Sequence, residues 1–180
     1  MKRKVLWITE TAVMLALLIT LQWLTKPLGQ IVTGSCVNAV LAVAAIYAGF
    51  GSGLTIALIS PIFAYLLVIA PNLVTVPVIM LGNAAYVALL CLICNGKQFW
   101  RSVVALLSGA LCKFGLMYLL VTYGICGLLA QPLMDQGLLK APMLNMLPTT
   151  FAAPQLITAL VGGAAALLIA PVLKKALHRT

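Results

Sequence analysis

The chain has 180 residues, of which 64% are hydrophobic and only 7% are charged, whereas about 25% of the residues in soluble domains carry a charge. The net charge of +9 comes from basic residues in short runs at the ends of apolar segments, which is typical of a membrane surface rather than a nucleic-acid site. This composition excludes an ordinary soluble domain and predicts an all-α integral membrane protein with one domain, residues 1–180.

Six apolar segments approach the length of about 20 residues that a helix needs to cross about 30 Å of hydrocarbon. They lie at approximately 5–24, 35–50, 53–70, 74–94, 101–123 and 153–173. The connection 124–152 is the longest, and a connection of that length is often a lid or a binding loop.

The basic residues predict the orientation of the six spans. Both termini and the 95–100 turn lie on one side, which carries eight basic residues, namely Lys2, Arg3, Lys4, Lys97, Arg101, Lys174, Lys175 and Arg179. The opposite side carries Lys26 and Lys140. The positive-inside rule therefore predicts cytoplasmic termini and an outer location for 124–152.

The first span follows the basic residues M-K-R-K. Its apolar run is too long for a signal peptide and no small-residue cleavage site follows, so we expect a retained helix. Within it, A-V-M-L-A places Ala12 and Ala16 one turn apart. Small residues at this spacing let another helix approach closely, which predicts either internal packing or an external docking groove.

Several amides are expected near the outer ends of the next spans. Asn38 lies near the start of the second span, and Asn72 lies in the turn before the fourth. Asn83 lies about 12–14 Å below the outer end of the fourth span at 1.5 Å per residue, with Tyr86 one turn deeper on the same face. Each of these side chains belongs either to a ligand pocket or to helix packing.

Lys113 lies in the middle of the fifth span, roughly 15 Å below its outer end. A charge at that depth costs at least about 2.5–3.5 kcal/mol, so a partner, a water-filled cavity or an anionic ligand must offset it. Glu10, about 20 Å below the outer end of the first span, is the alternative partner. Snorkelling and a subunit contact are further alternatives.

Lys113 and Asn83 thus share a level beneath the outer connection. Gln155 lies near the outer start of the sixth span. These positions predict an outward-opening pocket, with Lys113 at its floor, for a small ligand that carries an anionic group. In the same span, Gly162 and Gly163 predict close helix packing.

Enzymatic chemistry has little support in the sequence. The chain contains no G-x-x-x-x-G-K-[ST] loop for ATP. His178 is its only histidine, and the acids Glu10 and Asp135 fall at different levels, so neither a catalytic pair nor a metal site is expected. Cys91 and Cys94 form one C-x-x-C pair, which is typical of packing. We predict no cofactor and no metal.

The chain resembles the substrate-binding S components of energy-coupling factor (ECF) transporters. The resemblance rests on six spans in 180 residues, on the A-V-M-L-A element of the first span, and on residues 33–61, T-G-S-C-V-N-A-V-L-A-V-A-A-I-Y-A-G-F-G-S-G-L-T-I-A-L-I-S-P, with their Gly-rich turn. It covers nearly the whole chain and does not identify the substrate.

The resemblance implies a subunit in a prokaryotic cell membrane that captures a vitamin or similar micronutrient at its outward face. It implies docking on a membrane coupling subunit through Ala12 and Ala16. Two separate ATPase subunits would supply the energy. From the residues alone, a self-sufficient small transporter and a non-transport membrane scaffold remain alternatives.

Overall fold

The computed structural model describes residues 2–94 and 98–176. Within these ranges the regular structure is helical, with short 3₁₀ turns at Lys26–Leu28 and Leu73–Thr75 and a π-helix at Leu120–Leu128. The α-helices are α1 (Lys2–Thr25), α2 (Gln30–Tyr47), α3 (Phe50–Leu66), α4 (Val76–Ile93), α5 (Phe99–Leu119), α6 (Ala130–Asp135), α7 (Met143–Thr150) and α8 (Ala153–Ala176).

The six predicted spans correspond to α1–α5 and α8. Five helical segments are long and apolar enough to cross a membrane, and α3 is a shorter apolar helix of 17 residues. The protein is therefore a multi-pass membrane helix bundle, as its composition predicts. The start of the second span differs, because α2 begins at Gln30 rather than near residue 35. Its first residues, Q-I-V-T-G-S, mix apolar side chains with polar and small ones, which lowers the mean hydropathy there without preventing the helix.

The connection predicted at 124–152 is also largely helical. The π-helix continues α5 as far as Leu128, and the amide of Leu129 donates a hydrogen bond of 2.9 Å to the carbonyl of Gly124, five residues back. Residues 129–152, which we call the cap, contain α6 and α7. The connection is therefore a folded layer rather than an open loop.

Successive membrane helices run in opposite directions. Residues late in α1 and α3 and in the second half of α5 line one cavity together with residues early in α2, α4 and α8. We call this the cavity end of the bundle. Lys97 and Arg179, on which the predicted orientation partly depends, and the single histidine, His178, lie outside the described residues.

Exposed aromatic residues mark both ends of the bundle. Trp7 and Trp100 are 41% and 72% exposed near the end opposite the cavity, while Trp23 is 62% and Tyr123 64% exposed near the cavity end. Tryptophan and tyrosine are enriched at the two membrane–water interfaces. Their positions agree with a bundle that spans the bilayer.

Helix α2 forms the centre of the bundle, where it contacts α1, α3, α4 and α8. Its segment 40–45 is buried throughout. The contact with α8 is tight at Gly162, where a Cβ atom would meet the Ser35 carbonyl oxygen and would lie 2.7 Å from both the Ala39 amide nitrogen and the Asn38 Cβ. The two backbones approach this closely because residue 162 has no side chain.

We expect Gly162→Ala to destabilise the bundle by about 1–3 kcal/mol, because the added methyl group overpacks against backbone atoms. Reversible unfolding in mixed micelles measures this difference. Gly115→Ala is the matched control, since a Cβ atom there meets nothing within 4 Å. The control is expected to be neutral or stabilising, because alanine favours a helix more than glycine does. Equal stability of the two variants would contradict the assigned packing.

Candidate binding site

A cavity of about 470 Å³ opens at the cavity end of the bundle. Small-molecule sites typically occupy about 300–1,000 Å³. The cavity wall combines apolar side chains with a minority of polar ones. The polar and charged members are Gln22, Lys26, Gln30, Thr33, Asn38, Ser60, Asn83, Lys113, Thr150 and Gln155. The size and the lining are those of a site for one small organic molecule.

Lys113 lies at the floor of this cavity and is 2% exposed. Its Nζ donates hydrogen bonds to Asn83 Oδ1 at 2.7 Å and to Asn38 Oδ1 at 2.6 Å. An ammonium group has three N–H donors. These two bonds use two of them on neutral oxygens, so one donor is left for a further acceptor.

The amide of Asn38 is held in one orientation by its own hydrogen bonds. Its Nδ2 donates to the Gly34 carbonyl at 2.9 Å and to Thr158 Oγ1 at 3.2 Å. The Thr158 hydroxyl in turn donates to the Gln155 carbonyl at 3.1 Å. Since each group donates to the next, the chain of bonds fixes Asn38 Oδ1 as the acceptor that faces Lys113.

Two features of α4 position Lys113. Gly82 leaves space for the neighbouring α5 side chains, because a Cβ atom there would lie 2.5 Å from Met117 Cγ and 3.5 Å from Lys113 Cγ. One turn deeper than Asn83, the ring of Tyr86 lies with its centroid 5.7 Å from Lys113 Nζ. A cation at that distance from an aromatic ring is attracted by it.

Tyr86 is fully buried and does not line the cavity. Its hydroxyl donates a 3.2 Å hydrogen bond to the Ala159 carbonyl. Two glycines provide its space, since a Cβ atom at Gly109 would lie 3.1 Å from the ring and one at Gly163 would lie 2.7 Å from the hydroxyl. Of the two roles predicted for Tyr86, a ligand pocket or helix packing, its position therefore fits packing, where it supports the cavity floor from below.

Asn72 also lies outside the cavity lining. Its Oδ1 accepts a 3.2 Å hydrogen bond from the Val74 amide, and its Nδ2 donates at 2.6 Å to the Leu138 carbonyl. Asn72 lies at the start of the turn that leads into α4, and its hydrogen bond to Leu138 connects this turn to the cap. Its position indicates a structural contact rather than a direct ligand contact.

The cap covers one side of the cavity. Leu139, Leu147 and Phe151 pack on the second half of α5 and on the π-helix in a separate apolar cluster. Phe151 also lines the cavity, and Gln30 Nε2 donates a 3.2 Å hydrogen bond to the Thr150 carbonyl. The cap is therefore anchored both to α2 and to the end of α5.

The cavity lining is positively charged. Lys26 lines it near the mouth, where its Nζ donates a 2.7 Å hydrogen bond to the Leu67 carbonyl. Together with Lys113 this makes two cations, and no aspartate or glutamate occurs among the described lining residues. The two hydrogen bonds of Lys113 go to asparagines rather than to Glu10, the alternative partner considered above.

Six polar lining residues were not predicted as site residues, namely Gln22, Lys26, Gln30, Thr33, Ser60 and Thr150. Thr33 was missed because α2 starts five residues before the predicted span, and a small hydroxyl residue such as Ser60 is unremarkable in an apolar helix. Gln22 carried a usable signal, because an amide within an apolar segment requires a polar partner.

Ala12 and Ala16 are both exposed on α1. Their neighbours Val13 and Leu17 are 60% and 47% exposed. In the most apolar window of α1 only 17% of residues are buried, against 33–44% in the other four candidate spans. The two alanines therefore lie on an apolar surface on the outside of the helix bundle, and internal packing does not explain their spacing.

No three His, Cys, Asp or Glu side chains converge as metal ligands would within residues 2–94 and 98–176. A family model described as "ECF transporter, substrate-specific component" matches residues 7–174. Comparison with curated proteins and with solved structures gave no significant match.

Proposed function

The chain belongs to the ECF transporter substrate-specific component family, and from this premise we propose that its cavity captures a vitamin or related micronutrient that carries an anionic group. The protein is thus a membrane transport component rather than an enzyme. The main observation behind this proposal is the position of Lys113, a buried cation at the floor of the cavity whose two hydrogen-bond partners are both neutral.

The charge of the cavity supports an anionic ligand. Burying an ammonium group costs free energy that neutral amide oxygens offset only in part. A ligand carboxylate or similar group within hydrogen-bonding distance of Lys113 Nζ would supply the missing negative charge. Lys26 near the mouth adds a second cation, which favours anions at the entrance as well.

We propose that the cavity end faces outward. The end opposite the cavity carries the basic residues Lys4, Arg101 and Lys175, whereas the cavity end carries Lys26 and Lys140. The positive-inside rule then favours a cytoplasmic location for both termini. In this orientation the cap lies over the outer mouth of the cavity, and Asn38, Asn83 and Gln155 join Lys113 as proposed ligand contacts.

We propose that the exposed apolar surface of α1 around Ala12 and Ala16 binds the membrane coupling subunit. Exposed small residues one turn apart allow a partner helix to reach the backbone of α1. Two ATPase subunits would provide the energy, in agreement with the absence of a phosphate-binding loop from the sequence.

Vesicle uptake tests this function directly. We expect the native protein, purified gently, to retain a small anionic compound that mass spectrometry identifies. Uptake of that compound into vesicles should require both the coupling subunit and ATP hydrolysis. Uptake by this chain alone would show a self-sufficient transporter instead, and a stable protein partner without any retained compound would show a scaffold.

A further inference from the structure

Three further polar side chains of the cavity wall belong to α1, α2 and α3, one to each helix. Gln22 and Thr33 are each 3% exposed, and Ser60 is 1% exposed. Gln22 Oε1, Thr33 Oγ1 and Ser60 Oγ have no hydrogen-bond partner among the described residues. All three side chains line the cavity.

The two hydroxyl groups differ from others in this bundle. Serine and threonine in membrane helices usually donate to the carbonyl four residues earlier. Thr20 does so at 2.9 Å, Ser35 at 2.7 Å and Thr55 at 2.9 Å. The hydroxyls of Thr33 and Ser60 form no such bond to a carbonyl of their own helix.

An unpartnered polar atom that is shielded from solvent costs about 1–3 kcal/mol. The three residues that carry these atoms come from three consecutive helices and line one cavity, which is too regular a grouping for three unrelated packing faults. Each helix also contacts the other two. The grouping is the arrangement expected of a wall that hydrogen-bonds a ligand.

We infer that Gln22, Thr33 and Ser60 form a second, uncharged subsite that recognises hydroxyl or amide groups of the ligand. This inference rests on the proposed function and specifies its substrate class. The ligand is then an acid with two ends: its carboxylate lies at Lys113, and its hydroxyl or amide end lies against α1–α3. A purely apolar acid does not satisfy this site.

The chemistry of the three atoms defines what that end must carry. Gln22 Oε1 only accepts hydrogen bonds, so the ligand must present an O–H or N–H donor to it. The Thr33 and Ser60 hydroxyls both donate and accept. Alcohols and primary or secondary amides offer this combination, whereas a methyl group or an aliphatic chain offers neither function.

Three carboxylates of closely similar length test the subsite. The probes are heptanoate, 6-hydroxyhexanoate and the monoamide of adipic acid, which share the carboxylate and differ at the other end. We expect the purified full chain to bind the hydroxy acid and the amide acid about tenfold more tightly than heptanoate, since a pocket built to bond a polar group discriminates strongly against analogues that lack it. Isothermal titration at millimolar probe concentrations measures this preference.

The variants Gln22→Met, Thr33→Val and Ser60→Ala should each reduce the preference, because they remove the polar atom and keep most of the side-chain volume. Thr122→Val is the matched control, since Thr122 Oγ1 is also buried without a partner but does not line the cavity. The control should keep the tenfold preference. Ligand-free stability should not fall in any of the four, because each loses an unpartnered buried group.

Three outcomes would overturn the subsite: equal or tighter binding of heptanoate, a preference that survives all three subsite substitutions, or no binding of any probe. These outcomes differ from failure of the proposed function. If the native protein still supports ATP-dependent uptake of its retained anion, the function stands and only the subsite is wrong. If uptake did not require the coupling subunit and ATP hydrolysis, the proposed function, on which the subsite rests, would itself be wrong.

Discussion

Replacing Lys113 with methionine is expected to weaken binding of the retained anionic compound by about 30-fold to several thousand-fold. Loss of a buried charged hydrogen-bond partner costs about 2–5 kcal/mol, and every 1.4 kcal/mol is a factor of ten in affinity. Methionine has a similar length and is apolar, so it occupies the same space between α4 and α5. Titration of the purified variant with the retained compound measures the loss.

A second substitution separates charge from hydrogen bonding. Lys113→Met leaves Asn38 Oδ1 and Asn83 Oδ1 without their donor, whereas Lys113→Gln removes the charge but keeps an N–H donor, on a side chain one atom shorter. We expect both variants to fold and both to lose affinity. A normal affinity in Lys113→Gln would show that the charge does not bind the ligand.

Two control substitutions address the alternatives. Lys140→Met removes a cation outside the cavity lining and should leave the affinity unchanged. Glu10→Gln should do the same, because the amide oxygens of Asn38 and Asn83, not a carboxylate, accept from Lys113. A loss of affinity in Glu10→Gln as large as in Lys113→Met would favour a structural Lys113–Glu10 pair.

Replacing Ala12 or Ala16 with tryptophan is expected to abolish assembly with the coupling subunit and reduce uptake at least tenfold. The indole ring would hold a partner helix away from the α1 backbone, where small residues now permit contact. Ligand affinity should stay unchanged, because neither alanine lines the cavity. Co-purification of the coupling subunit and titration of the isolated protein measure the two effects separately.

Leu168→Trp is the control for this pair of variants. Leu168 is 75% exposed on α8, so the same ring there faces lipid on another side of the bundle. We expect normal assembly and normal uptake in the control. Normal co-purification of Ala12→Trp and Ala16→Trp would show that the coupling subunit binds elsewhere.

The membrane fold was largely predictable because hydropathy and length report on burial in lipid, and the six apolar segments exceed what a soluble core requires. The shared depth of Lys113 and Asn83 followed from the rise per residue, and the structure places Nζ and Oδ1 2.7 Å apart. The depth of a residue in a regular helix can be counted reliably when the residue at which the helix begins is known.

Asn38 shows where this counting fails. With a start near residue 35 it lies at the outer rim, but α2 starts at Gln30 and carries it down to Lys113. The roles of Tyr86 and Ser60 depend on packing between helices, since Gly109 and Gly163 create the space for the ring. Hydropathy and helix rise do not reveal which helix faces which, so these contacts required the structure.

The two asparagines around Lys113 also determine the entropy of ligand binding. Because Asn38 on α2 and Asn83 on α4 already fix the ammonium of α5, its rotamer freedom is lost when the protein folds and not when a ligand arrives. Immobilising such a side chain on binding would cost about 0.5–1.5 kcal/mol. The folded bundle therefore presents a preorganised cation, and capture of a dilute substrate begins from a site that needs no rearrangement at its floor.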